Sequence, residues 1–143
     1  RRRVDASTRR RDDETTRLEA AREWSLWEGH VATLLPNEEL LDSFGDPAKA
    51  VPFARICAKF FLENFFLEEN ELLNNVDKLA GIPGIIVQGR HDICTPPGAA
   101  WALKKAWPEA EFWIVHDAGH SAGEPGIIDG LVRATDRLAG KEG

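Results

Sequence analysis

The run Gly84-Ile85-Ile86-Val87-Gln88-Gly89 constrains this chain more than any other stretch. It is short, apolar, rich in β-branched residues and ended by glycine, which is how a buried parallel strand reads. An amphipathic helix follows over residues 97–107, carrying Ala100, Trp101, Leu103, Lys104 and Trp107. Glu111-Phe112-Trp113-Ile114-Val115 reads as a second strand, and Ile127 to Leu138 as a second helix with Leu131, Ala134, Thr135 and Leu138 on one face. Strand, helix, strand, helix is the βαβα unit from which doubly wound α/β sheets are built. Two strands do not make a stable sheet by themselves in water. The expected fold class is therefore α/β, with this unit as one portion of a larger sheet.

The residues before this unit read differently. Residues 1–13 are dominated by Arg and Asp and are expected to form a charged, solvated, mobile segment. Their arginines are offset by Asp5, Asp12, Asp13 and Glu14, so no basic patch is assigned. Leu18, Ala21, Trp24, Leu26 and Trp27 recur at helical spacing and predict a helix over residues 14–35. Asp12 or Asp13 is the expected cap, Gly29 an interruption and Pro36 the limit. Residues 37–46 read as acidic residues leading into the turn Gly45-Asp46-Pro47. Helices are expected over residues 47–66 and 68–79, before Gly81-Ile82-Pro83 breaks the pattern. The expected organisation is thus a charged segment at 1–13, a helical portion at 14–80 and an α/β portion at 81–143.

Composition excludes several functions. The chain has 143 residues, of which 43% are hydrophobic, enough for one modest core. A net charge of −6 argues against nucleic acid as a partner, since phosphate binding needs a basic face. The two cysteines, Cys57 and Cys94, show neither a disulfide framework nor zinc-ligand spacing. A reducing, cytoplasmic setting is expected. No apolar run approaches the length of a membrane span, and the N-terminal stretch lacks the apolar core of a signal peptide. The first residue is not Met, which reads as a cut rather than a natural start.

Chemistry is expected at the carboxyl ends of the two strands, where open α/β sheets bind ligands. Gly89-Arg90-His91-Asp92-Ile93-Cys94-Thr95-Pro96 follows the first strand, and Asp117-Ala118-Gly119-His120-Ser121 follows the second. An aspartate that accepts from an imidazole N–H fixes the tautomer and stabilises the imidazolium formed in proton transfer. Asp92 and His120 can make such a pair, in the order Asp then His that α/β-hydrolases use. Taken singly, Asp92 also reads as a turn or cap residue and His120 as a loop residue. His91 and His116 read as structural or exposed. The four serines are Ser7, Ser25, Ser43 and Ser121, and none lies in G-x-S-x-G or a tight turn after a buried strand. No Gly-rich oxyanion loop is visible.

These motifs resemble the C-terminal part of the proline iminopeptidases, also called prolyl aminopeptidases, which are α/β-hydrolases. The family pattern runs close to G-R-Y-D-x-x-C-P, S-A-W-x-L-x-K-A-W-P and G-H-S-A-x-E-P. Arg90, Asp92, Trp101, Lys105, Ala106, Trp107, Pro108, Gly119, His120, Ser121, Glu124 and Pro125 match it. Trp24-Ser25-Leu26-Trp27-Glu28-Gly29 resembles W-S-x-W-E-G of the family's helical cap, and Ala54-Arg55-Ile56 resembles A-R-I-E.

The resemblance implies a serine peptidase that releases N-terminal proline from peptides. It implies Asp92 as triad acid, His120 as general base, and Glu28 as the carboxylate that holds the substrate's free α-amino group through a charge-assisted hydrogen bond. No metal or cofactor is implied. The family's second cap glutamate falls on Cys57, so amino-group recognition is expected to be weaker or carried by another acid such as Glu63. His91 stands where the family has Tyr. The alternatives are another capped α/β-hydrolase, such as an esterase or epoxide hydrolase, or a non-catalytic truncated product. Without a nucleophile the 143 residues alone are expected to be inactive.

Overall fold

The computed structural model describes residues 6–140, with side chains from residue 13 onward. Residues 1–5, part of the segment expected to be mobile, lie outside the described residues. The described chain is mixed α/β, with six α-helices and a two-stranded parallel sheet. It divides into two compact units, residues 1–30 with 37–66, and residues 31–36 with 67–143.

In the first unit, α1 runs over Ala6–Ala32 and so starts well before residue 14. Arginine is a good helix former, and a solvated helix needs no apolar face to extend by another turn or two. Asp12 and Asp13 therefore sit inside the helix rather than capping it. Gly29 does not interrupt α1 either. A Cβ there would stand 3.2 Å from Leu41 Cδ2 and from Phe44 Cγ. The missing side chain lets the next helix pack close, which offsets the roughly 0.5–1 kcal/mol that glycine costs in a helix.

That next helix, α2 over Glu38–Gly45, replaces the expected acidic lead-in to a turn. Asn37 caps it by accepting from Leu40 N at 2.9 Å, and Glu38 and Glu39 face the positive end of the helix dipole. Asp46 caps α3, Pro47–Leu62, by accepting from Ala48 N at 2.9 Å. The helix stops short of residue 66. Asn64, Phe65 and Phe66 take φ of 48°, 56° and 59°, a left-handed region that ends regular helix. Ala50 and Ser25 are fully buried, while Trp24 packs edge-on to Phe61 with ring centroids 6.0 Å apart.

In the second unit, the helix expected over 68–79 is two short pieces. α4 covers Glu71–Asn74 and a 3-10 turn covers Val76–Leu79. Asn75 Nδ2 donates to Glu71 O at 2.7 Å, taking a carbonyl that continued helix would use. Then come β1 (Ile85–Gly89), α5 (Pro97–Ala106), β2 (Glu111–Val115) and α6 (Pro125–Leu138). β1 lies within the expected run 84–89 and starts one residue later, and β2 coincides with its expected span. The strands pair in parallel, from Ile85 beside Glu111 to Gly89 beside Val115. Gln88 and Gly89 are buried, but the rest of both strands is only half-buried. α6 starts at Pro125, whose fixed φ suits a first helical turn, and buries Ile127, Gly130 and Ala134. No helix among the described residues is long and apolar enough to cross a membrane.

Candidate active site

Parallel pairing in this register brings the two strand ends level, so the loops that follow them must meet. Arg90 N donates to Val115 O at 2.8 Å and His91 N to Ala118 O at 3.0 Å. A Cβ on Gly89 would collide with the carbonyl of Gly119. Glycine at the end of β1 is thus what allows the second loop to lie against the first.

That contact delivers Asp92 to His120. Asp92 is buried, and its Oδ2 lies 3.0 Å from His120 Nδ1. Thr95 Oγ1 donates to the same Oδ2 at 2.8 Å and lies 3.2 Å from His120 Nδ1. Oδ1 accepts from Cys94 N at 3.0 Å and Thr95 N at 2.8 Å, and Gln88 Nε2 reaches Oδ2 at 3.3 Å. Burial pushes the Asp92 carboxyl up, but donors outweigh it: the Thr95 N–H, the His120 hydrogen bond and the Thr95 hydroxyl hold it below its usual range. In the tautomer that gives its Nδ1–H to Asp92, the imidazole keeps Nε2 as its acceptor nitrogen. The His120 side chain is 42% exposed against 6% for Asp92, so the imidazole faces solvent and the carboxylate does not.

The His120 loop is held from a second side. His120 N and Ser121 N both donate to Ala32 O, at 2.9 and 2.7 Å. Glu124 is buried, and its carboxylate accepts from Gly119 N at 2.7 Å and Leu34 N at 3.0 Å. Thr95, Gln88 and Glu124 are parts of this site to which sequence reasoning assigned no role. Glu124 was visible as a matched motif residue, but its anchoring of two backbone amides is a tertiary fact.

Glu28 lies on α1 in the first unit, half-buried. Its local company is Cys57 and Trp24. Burial pushes the Cys57 thiol up and the charge of Glu28 pushes it further, against a hydrogen bond from Trp24. His91 is exposed, and so is His116, whose Nδ1 lies 3.1 Å from Arg90 Nη1. Ser25 is buried within α1, Ser43 Oγ accepts from Lys49 Nζ, and Ser121 Oγ accepts from Gly123 N, a turn contact. The Ser7 side chain lies outside the described residues. Asp92, Cys94 and His120 together offer a carboxylate, a thiol and an imidazole within 4.8 Å of one another, a set able to hold a metal ion.

No protein-family model matches the chain. Comparison with curated proteins gives long matches. A proline iminopeptidase of Xylella fastidiosa is 48% identical over 126 residues, 87% of this chain and 40% of the relative. One of Xanthomonas citri is 46% identical over 129 residues, 90% of this chain and 41% of the relative. Over most of its length the chain is similar to the C-terminal part-length stretch these proline iminopeptidases share with it. A plant proline iminopeptidase, from Arabidopsis thaliana, is also 48% identical, over 128 residues that make up 89% of this chain and 34% of the relative. The chain therefore spans between about a third and two fifths of the length of these proline iminopeptidases.

Proposed function

We propose that this chain carries the acid and base of a serine aminopeptidase that releases N-terminal proline from peptides. The observation that carries the reading is the buried Asp92 carboxylate 3.0 Å from Nδ1 of a solvent-facing His120. In the proposed reaction, His120 Nε2 takes the proton of a serine hydroxyl as it attacks the substrate carbonyl. It then returns that proton to the leaving amine. Asp92 stays ionised throughout and stabilises the imidazolium. The proposed nucleophile and oxyanion donors lie in polypeptide outside these 143 residues, in keeping with the share of the relatives that the chain spans. In the same reading, the βαβα unit is the final part of an α/β-hydrolase sheet and the helical residues 14–80 belong to a cap.

Glu28 is proposed to bind the substrate's α-ammonium group. Support comes from its half-buried setting and from the Trp-rich motif that contains it. A thiol pushed up in pKa at Cys57 stays protonated and neutral near pH 7, so Glu28 supplies the charge there without help from Cys57. Neither Cys57 nor Cys94 is in a disulfide, which fits a proposed cytoplasmic setting.

The test is hydrolysis of a proline anilide by the full-length protein. Release of the dye, lost on His120→Ala, supports the reading. Cleavage of simple esters with no release from the anilide would favour an esterase and overturn it.

A further inference from the structure

Three side chains of different ligand chemistry meet at the ends of β1 and β2. An Asp92 carboxylate oxygen, Cys94 Sγ and a His120 ring nitrogen all lie within 4.8 Å of one another. In a tetrahedral zinc site with bonds of about 2.0–2.3 Å, ligand atoms stand roughly 3.3–3.8 Å apart. Asp92 Oδ2 and His120 Nδ1, at 3.0 Å, are already close to that spacing. The sulfur is the atom left to close in. Its backbone is fixed beside the carboxylate, because Cys94 N donates to Asp92 Oδ1 at 3.0 Å. Its Sγ makes a long contact of 3.6 Å with Val31 O.

The geometry points to a site for a thiophilic divalent cation, with Zn2+ as the type, made by Asp92 Oδ2, Cys94 Sγ and His120 Nδ1. A mixed O, S and N ligand set favours zinc over magnesium or calcium, which prefer oxygen alone. The acid is no surface carboxylate. It is buried, and its Oδ1 is oriented by two backbone amides whether or not Oδ2 holds a metal. The exposed side of His120 leaves room for water as a fourth ligand.

Proton balance gives the site a consequence. Cys94 binds as thiolate, so its thiol proton leaves to solvent. His120 Nδ1 gives up its N–H to bind the ion, and the neutral imidazole takes a proton at Nε2 instead. The net release is one proton per ion. Nε2 has then changed from acceptor to N–H donor. Resting on the reading above, zinc removes the base by switching its tautomer rather than by blocking the substrate.

Calorimetric titration of the full-length protein with ZnCl2 tests the site without any assay of hydrolysis. The expected result is one ion per chain. Comparison of buffers with different ionisation enthalpies should show about one proton released. Cys94→Ala and His120→Gln should each weaken binding at least about tenfold, and Cys57→Ala should leave it unchanged. Cys94→Ser, which keeps size and polarity, should weaken binding too and guards against a folding defect in the alanine variant. Equal binding of MgCl2, no binding of zinc, or binding indifferent to both Cys94 variants would overturn the site. Nitrogen-15 NMR of His120 reads the switch: a ring still protonated at Nδ1 with zinc bound sinks it. Failure of the peptidase reading leaves each of these measurements intact.

Discussion

Gly119 N donates to Glu124 Oε1 at 2.7 Å, so a buried carboxylate holds the backbone immediately before the proposed base. The other oxygen of Glu124 holds Leu34 N at 3.0 Å. One side chain therefore satisfies two amides from segments far apart in the sequence.

Removing that carboxylate leaves both amides without their partner. Glu124→Ala should lower stability by about 2–3 kcal/mol, the cost of losing hydrogen bonds to a buried charged group. Urea denaturation checks it, and an unchanged midpoint would contradict the anchoring role. Glu124→Gln should cost less, since an amide oxygen can keep one of the two bonds.

Asp92 sets an acid limit. Its folded-state pKa is held below the ordinary 3.8, chiefly because donors from Thr95 and His120 outweigh burial. A depressed carboxyl adds stability that is fully present above the unfolded pKa and lost as pH falls through the folded one. Stability measured from about pH 6 down to about pH 2 should fall through this window, and Asp92→Asn should remove that part of the slope. A slope that survives Asp92→Asn unchanged would assign it to other groups.

The Thr95 hydroxyl touches both members of the pair. Thr95→Val should cost about 1 kcal/mol and move the nitrogen-15 resonance of His120 Nδ1. Thr95→Ser, which keeps the hydroxyl, should restore both. A purely steric role would leave that resonance where it was in either variant.

Glu28→Gln should discriminate between substrates. In the full-length protein, loss of a charge-assisted bond predicts roughly a 10- to 100-fold drop in kcat/KM for a proline anilide. Simple esters without an amino group should be cleaved as before. Equal loss on both substrate types would refute ammonium recognition.

Much of the second unit could be read directly, because its signals are local. β2 stands where its apolar run predicts, and Asp92 and His120 meet because parallel strands carry their following loops to the same edge. The misreadings also have local causes. α2 was hidden because Asn37 and two glutamates read as loop residues when the cap contact to Leu40 is unseen. Gly29 looked like a break because the ring and methyl groups that require it come from residues 41 and 44. Thr95 and Glu124 were beyond reach as anchors, since their partners are fixed only when the strand-end loops close.

The bond from Leu34 to Glu124 spans 90 positions of sequence. Closing so long a loop carries an entropic cost before the contact repays it, and such non-local closures come late in folding. The His120 amide is also bonded across that gap, to Ala32 O. Its hydrogen exchange therefore reports closure of the whole second unit rather than local turn formation. Part of what holds the loop of the proposed base thus comes from Ala32 and Leu34, far from it in sequence, so its maturation is set by topology as much as by chemistry.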